Sequence, residues 1–293
     1  MNPVEQYRII RPLGNQQRRK FNDVYLTEHK TTGQQAILKA LAKTPANSAL
    51  QERLRQEATF HFTHPDLPRT LDFLETDTEI LLFLSFHSGI PLQEFTKTLK
   101  QREKPAFILR LLNQLLPLFN ELKAQRVLHL DIKPSNIIFH GTKESFSVAL
   151  IDFGLAMRTH EPQTRATLFP LSYAAPELLL NRLALADQRT DQFALGIVLW
   201  QLFTGKLPLL HPNPGITTNL QLTHPLPEDS AIRDRYFRVL ARMTNKHTFR
   251  VPPNQLPQQE MDALLREGMN GRYDHLEQLI ADWEAAVNKG WFR

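Results

Sequence analysis

The eleven residues His129–Phe139, HLDIKPSNIIF, limit this chain more tightly than any other stretch. A carboxylate (Asp131), an ammonium (Lys133) and a carboxamide (Asn136) share one short polar loop that runs straight into an apolar Ile-Ile-Phe. A second carboxylate, Asp152, follows 21 residues after Asp131, at the end of the apolar run in VALIDFGL (Val148–Leu155) and before Gly154. Each piece has an ordinary reading on its own. Asp152-Phe153-Gly154 reads as a strand ending in a turn, and Asp131 and Asn136 as side chains that satisfy the backbone of a turn at Pro134. Order and spacing speak against that pairing of accidents. The same chain carries a lysine closing an upstream strand pattern (Lys39), the tripeptide Ala175-Pro176-Glu177 downstream, and then a helix pattern headed by Thr190-Asp191.

The remaining pattern is strand-rich first and helical afterwards. From Gln6 to Lys39 the order is strand, loop, strand, a hairpin at Thr32-Gly33, and strand. Residues 50–62 predict a helix, with Leu50, Leu54, Ala58 and Phe62 at four-residue steps. Residues 71–75 and 80–86 predict two more strands, the second continuously apolar as in a strand buried on both faces. Pro105 opens a long helix with Ile108, Leu112, Leu115, Leu116, Phe119 and Leu122 along one face. Pro117 falls inside it, where an interior proline costs about 3 kcal/mol, so a bend or compensation from the apolar face is expected. Residues 192–203 are apolar on nearly every side and predict a buried helix, with Thr190 or Asp191 as N-cap and Gly205 as C-cap. Residues 207–228, rich in proline and without periodicity, predict a long irregular loop. Residues 231–243 and 260–287 hold the closing helices, Trp283 sealing the last.

Taken in order, these residues resemble the protein kinases. HLDIKPSN matches their catalytic-loop pattern H-x-D-x-K-x-x-N, Asp152-Phe153-Gly154 their D-F-G, Tyr173–Glu177 their Y-x-A-P-E, and Lys39 the lysine of V-A-I-K. The similarity runs from about Tyr7 to Arg250. It implies an α+β, bilobal protein-kinase-like fold: residues 1–87 an N-terminal lobe of small antiparallel β-sheet with one main helix, residues 88–293 a mainly α-helical C-terminal lobe. The implied activity is that of a stand-alone, cytoplasmic Ser/Thr protein kinase using ATP and Mg²⁺, with Mn²⁺ as the alternative metal. Phosphoryl transfer rests on positioning and charge stabilisation, and the resemblance distributes those tasks. Asp131 receives the substrate hydroxyl proton, Lys133 steadies the developing charge, and Asn136 and Asp152 carry metal. Lys39 bridges the nucleotide phosphates and Glu57, in RLRQEA, holds Lys39. Leu13, Gly14, Val24, Ile37, Leu84, Phe86, His87 and Ile138 complete the ATP site, with Leu84 behind the adenine and Phe86-His87 as hinge. Glu177 is expected to pair with Arg250, and Asp191 to hold the backbone of the catalytic loop.

Four departures from the family pattern carry expectations of their own. Only Gly14 remains of the Gly-rich loop, and Val24 follows three residues later than the pattern allows, which places Phe21 at the tip, Asn22 where the last glycine belongs, and Arg18-Arg19-Lys20 as compensating charge. Ile37 narrows the adenine slot. Leu130 replaces the arginine that reads a phosphate on the activation segment, which implies activity without strict dependence on that phosphate. Pro170 stands where Ser/Thr kinases usually carry a threonine. Two rivals stay open: a pseudokinase scaffold, opposed by the intact base and metal positions, and a small-molecule kinase, opposed by Lys133 and Ala175-Pro176-Glu177. Composition removes other classes. The chain of 293 residues has no cysteine, which excludes disulfides, thiolate zinc sites and thiol catalysis. A net charge of +5 comes with one dense basic cluster and no interleaved aromatics, so no nucleic-acid partner is expected. No window approaches 18 apolar residues free of charge, so no membrane segment is expected. Protein substrates remain unnamed, and a regulatory protein partner is left open.

Overall fold

The computed structural model describes residues 3–13, 23–159 and 169–288. Two compact units divide the chain: Met1–Ser88 with Ala149–Gly154, and Gly89–Val148 with Leu155–Arg293. The sequence boundary at 87/88 therefore misses the strap 149–154, which returns to the first unit because the Leu150 N–H donates to the Asp66 carbonyl (3.0 Å) and the Phe153 N–H to the Glu57 carboxylate (3.1 Å).

The first unit is an antiparallel sheet of β1 (Tyr7–Pro12), β2 (Asp23–His29), β3 (Gln35–Ala42), β4 (Thr70–Glu75) and β5 (Glu79–Ser85), in the order β1-β2-β3-β5-β4. Its two-residue period is visible in β5: Ile80, Leu82 and Leu84 bury one face with Leu41, while Leu81 and Phe83 bury the other with Leu38 and the half-buried Tyr7 and Tyr25. One helix, α1 (Ser48–Ala58), lays Leu50, Leu54 and Ala58 on the first of these faces. It stops earlier than its apolar stepping suggests. Beyond Thr59 the chain extends, His61 bridges Arg69, and Phe62 leaves the helix face to pack on Phe153, ring centroids 4.7 Å apart.

The second unit is helical, with short strands: β6 (Ile90–Pro91), β7 (Val127–Leu128), β8 (Ile137–Gly141), β9 (Phe146–Leu150), whose last two residues begin the strap, and β10 (Met157–Arg158). Its longer helices are α2 (Lys104–Ala124), α3 (Gln188–Thr204), α4 (Pro214–Thr223), α5 (Asp234–Met243), α6 (Gln258–Asn270) and α7 (Leu276–Asn288). Helix α3 is buried nearly all round, as its apolar composition requires, and α5 packs on it. Helix α7 packs on α2 and α5; Trp283 is fully buried, stacks on Tyr236 and donates its indole N–H to the Pro105 carbonyl (3.0 Å). Gly205 ends α3 in the left-handed region, φ 74°, its N–H on the Gln201 carbonyl.

Three local readings are corrected. Asp187, not Thr190 or Asp191, caps α3, its side chain accepting from the Arg189 N–H; Thr190 closes the capping box from inside. Residues 207–228 are not all loop, because Asn213 accepts from the Gly215 and Ile216 amides and Pro214 sits at the first helical turn, where proline starts a helix rather than breaking one. Pro117 lies inside an uninterrupted α2. Both Pro117 and Asn113 are exposed, so water reaches the carbonyl that loses its partner, while eight buried apolar side chains hold the opposite face. Pro117→Ala restores that hydrogen bond and removes the ring clash. The variant is expected to be more stable by about 1–3 kcal/mol, read as a higher urea midpoint; an unchanged or lower midpoint would show that α2 carries no strain at this position.

Candidate active site

Strand β3 and helix α1 place the first group of side chains. Cross-strand register sets Val24 opposite Lys39, and Leu84 opposite Ile37, so Val24, Ile37, Lys39 and Leu84 share one face of the sheet. Lys39 is buried with its Nζ 2.6 and 2.8 Å from the two Glu57 oxygens and 2.7 Å from Asp152 Oδ1. Burial alone would depress the Lys39 ammonium, but the Asp152 and Glu57 carboxylates overcome it and hold the group above its ordinary value. The two carboxylates differ in setting: the Glu57 side chain is 3% exposed and that of Asp152 46%, so Glu57 is the interior anchor and Asp152 the one that faces solvent. Leu13 donates its N–H to the Val24 carbonyl (2.8 Å). Phe86 and His87 are half-buried beyond β5, and burial lowers the His87 imidazole. Gly14, Arg18-Arg19-Lys20, Phe21 and Asn22 lie outside the described residues.

In the second unit, the loop between β7 and β8 gathers the other group. Lys133 Nζ lies 2.7 and 3.0 Å from the two Asp131 oxygens. The Asn136 amide donates to both the Asp131 carbonyl and Oδ2, each at 2.9 Å, and the Asp131 N–H donates to His129 Nδ1 (3.2 Å). Asp131 is thereby held from both sides within its own loop. Ile138, on β8, is buried. Leu130 is buried as well, in an apolar cluster with Leu128, Met157, Phe169 and Leu178.

Behind the loop, Asp191 on the first turn of α3 accepts the His129 and Leu130 N–H groups, each at 2.8 Å. Burial pushes its carboxyl up to about 6, against the downward pull of those two backbone donors. Glu177 is fully buried and takes a two-pronged bond from Arg272, at 2.6 and 3.0 Å, with the Thr190 hydroxyl donating at 2.8 Å. Burial raises the Glu177 carboxyl, but the Arg272 guanidinium outweighs it and holds the group below its usual range. Tyr173 donates its hydroxyl to Gln201 Oε1 of α3 (2.7 Å).

The family model described as the protein kinase domain matches residues 7–269. The chain belongs to the protein kinase family. Among curated relatives it is similar to the serine/threonine-protein kinase PknF of Mycobacterium tuberculosis, 29% identical over 78% of this chain and 48% of the relative. Similarity to serine/threonine-protein kinase pkn2 of Myxococcus xanthus is 27% over 77% of this chain and 28% of the relative. For Pkn1 of the same organism it is 30% over 76% and 32%. The chain thus spans less than half the length of these kinases. Among the described residues, no helix is long and apolar enough to cross a membrane.

In this kinase domain the partner of Glu177 is Arg272, not Arg250. Arg250 is exposed, just before the short 3-10 turn Pro253–Gln255, whereas Gly271 ends α6 and turns Arg272 inward, where its side chain is 1% exposed. Both arginines follow a helix in the sequence. Only the extra helix α6 between them decides which reaches Glu177, and the periodic run 258–270 ended by Gly271 was the available signal. Two partners of the site carried no sequence signal: Gln201 under Tyr173, and Gln188, whose amide donates to the Val127 carbonyl (2.9 Å).

Two measurements follow from this geometry. Arg272→Met strands a buried carboxylate and is expected to cost about 3–5 kcal/mol in urea unfolding, while Arg250→Met changes stability by less than about 0.5 kcal/mol; the reverse order would return the pairing to Arg250. Asp191 has an ordinary value of 3.8 and is raised to about 6 in the fold, so the folded state holds this proton longer than the unfolded chain. Its contribution is complete below about pH 4 and lost as pH rises through 6, a fall of about 3 kcal/mol. Asp191→Asn is expected to lack that component, seen as a wild-type minus variant stability difference that declines between pH 4 and 7; a flat difference contradicts it.

Proposed function

We propose that this kinase domain transfers the γ-phosphoryl group of ATP, with Mg²⁺, to serine or threonine hydroxyls of protein substrates. The observation that carries the reading is the Asp131 carboxylate, oriented by Asn136 and paired with Lys133 inside one loop. A carboxylate fixed in this way accepts a substrate hydroxyl proton without having to reorient. Lys133, bonded to Asp131, brings a compact positive charge beside the transferring group, where negative charge is to be offset.

The donor chemistry suits the metal. Asn136 and Asp152 offer hard oxygens, and Mg²⁺ is commonly held by one or two protein carboxylates completed by substrate phosphates and water. When bound, that metal supplies neutralisation of phosphate charge. Lys39 and the shared face with Val24, Ile37 and Leu84 form the proposed nucleotide-binding wall, and Glu57 keeps Lys39 from turning away. Serine/threonine preference is supported by Lys133 and by the names of the relatives; the reducing cytosol suits a chain without cysteine.

Leu130 supports activity without a phosphate on the activation segment. Its side chain is 4% exposed among apolar neighbours, so this position offers no cation to read such a phosphate. Incubation with labelled ATP and Mg²⁺ and a generic basic protein is expected to label serine and threonine, and Asp131→Asn to lower the rate at least a hundredfold. Phosphatase-treated enzyme is expected to keep at least half its activity. Complete loss on dephosphorylation overturns the independence, and a wild type that shows no label transfer and no MgATP-dependent thermal shift is a pseudokinase.

A further inference from the structure

Four cations gather where α2 and α5 begin. Lys104 opens α2 and donates to the Phe203 carbonyl near the end of α3 (3.0 Å). Arg233 precedes α5, and Arg235 and Arg238 lie on it. Contacts beneath bring the two helix starts together: the Gln101 amide donates to the Ala231 carbonyl (2.6 Å), and Trp283 stacks on Tyr236 while bonding to the Pro105 carbonyl. Among the described residues none of the four cations has a carboxylate partner. Two carboxylates close by in the chain are taken, Glu103 by Lys143 and Asp229 by Lys206, each at 3.0 Å. Asp234 remains, at the head of α5, where the helix dipole favours it.

The side of α5 that carries these charges is continuous. Residues 235, 238 and 242 fall within about 60° of helix arc. Arg242 is held only loosely, 3.4 Å from Asp282 with both side chains about half exposed. Arg235 is fixed in advance, one guanidinium N–H on the Tyr236 hydroxyl (3.2 Å) and its central carbon 4.9 Å from that ring's centroid. Its buried Nε has no acceptor.

The surroundings narrow what can answer this surface. Among the described residues, no exposed large apolar side chain lies on α5 or at the start of α2, so a lipid surface gains charge contact but no insertion. The ring under Arg235, Tyr236, is 4% exposed and offers a nucleic-acid base nothing to stack on. A phosphodiester backbone is charged at every step and must carry that charge past Asp234, whereas a peptide can leave a neutral residue there. In an extended peptide alternate side chains fall on one side, about 7 Å apart. Two or three carboxylates so spaced match the roughly 10 Å of helix from Arg235 to Arg242.

We propose that this surface docks an acidic, extended peptide segment of a partner protein, its carboxylates on Arg235 and Arg238 and flanked by Arg233 and Lys104. Guanidinium groups take carboxylates two-pronged, and a planar fork already fixed in place, as at Arg235, loses little freedom on binding.

An eight-residue peptide of alternating glutamate and alanine, blocked at both ends and titrated into the whole chain by isothermal calorimetry at low salt, tests this without reference to kinase activity. It is expected to bind once per chain and at least tenfold more tightly than three probes: the glutamine-alanine counterpart, an oligothymidylate of equal length, and phosphatidylserine vesicles. Arg238→Glu is expected to weaken the peptide at least tenfold. Arg266→Glu, which makes the same change of net charge at an exposed site on α6, is expected to leave the affinity within twofold. In the wild type, with ¹³C-methyl alanine, the peptide is expected to shift the Ala231 methyl resonance and leave that of Ala263 in place, a readout that does not depend on a variant folding. No binding of the acidic peptide, any probe binding as tightly, Arg238→Glu binding like the wild type, Arg266→Glu weakening it as much, or an unmoved Ala231 methyl would each overturn the proposal.

Discussion

The helical unit depends on one buried carboxylate, Asp191. Two consecutive amides of the catalytic loop, those of His129 and Leu130, point at its two oxygens. The loop needs this fixing because Leu130 sits at φ 61°, a left-handed conformation that costs a branched side chain roughly 1–2 kcal/mol. Leucine holds that backbone only where surrounding bonds and packing determine it: Asp191 grips its N–H, and the apolar cluster of Leu128, Phe169 and Leu178 takes its side chain. The adjacent peptide then presents Asp131 in the setting where Lys133 and Asn136 meet it.

The same end of α3 organises a second buried charge. Thr190, one residue before Asp191, donates to Glu177, and Arg272 closes the pair from the far end of the chain. A buried ion pair of this kind adds little net stability, since desolvation offsets most of its attraction. Its effect is geometric: Ala175-Pro176-Glu177 has one place to lie, and Tyr173, bonded to Gln201 two turns or more along α3, follows it. The buried helix thus fixes both the loop that bears Asp131 and the segment beside it.

In the sheet unit Lys39 plays the corresponding part. One ammonium is shared between an interior carboxylate, Glu57, and a half-exposed one, Asp152. The Phe153 amide bonds to Glu57 as well, and its ring packs on Phe62, so the strap 149–154 is anchored by charge at one residue and by packing at the next. That double anchorage explains why α1 stops at Ala58 although its apolar stepping continues to Phe62. The last apolar position of the pattern is taken up by the strap instead.

Local chemistry was legible in the sequence wherever a few neighbouring residues decide it. The run of strands and the buried helix follow from apolar period and turn residues, the bilobal α+β class follows from the resemblance to the protein kinases, and the loop His129–Phe139 carries its own lysine and asparagine partners for Asp131. The kinase family follows from the order of short motifs. What needed tertiary structure was every choice among like candidates distant in sequence. Arg272 rather than Arg250 meets Glu177 because α6 intervenes, Asp187 rather than Thr190 caps α3 because the helix starts earlier, and residues 214–223 form a helix because Asn213 caps what looked like a proline-rich loop. An arginine in the sequence is only a charge on a flexible stem; which carboxylate it meets is set by the packing of helices it does not belong to.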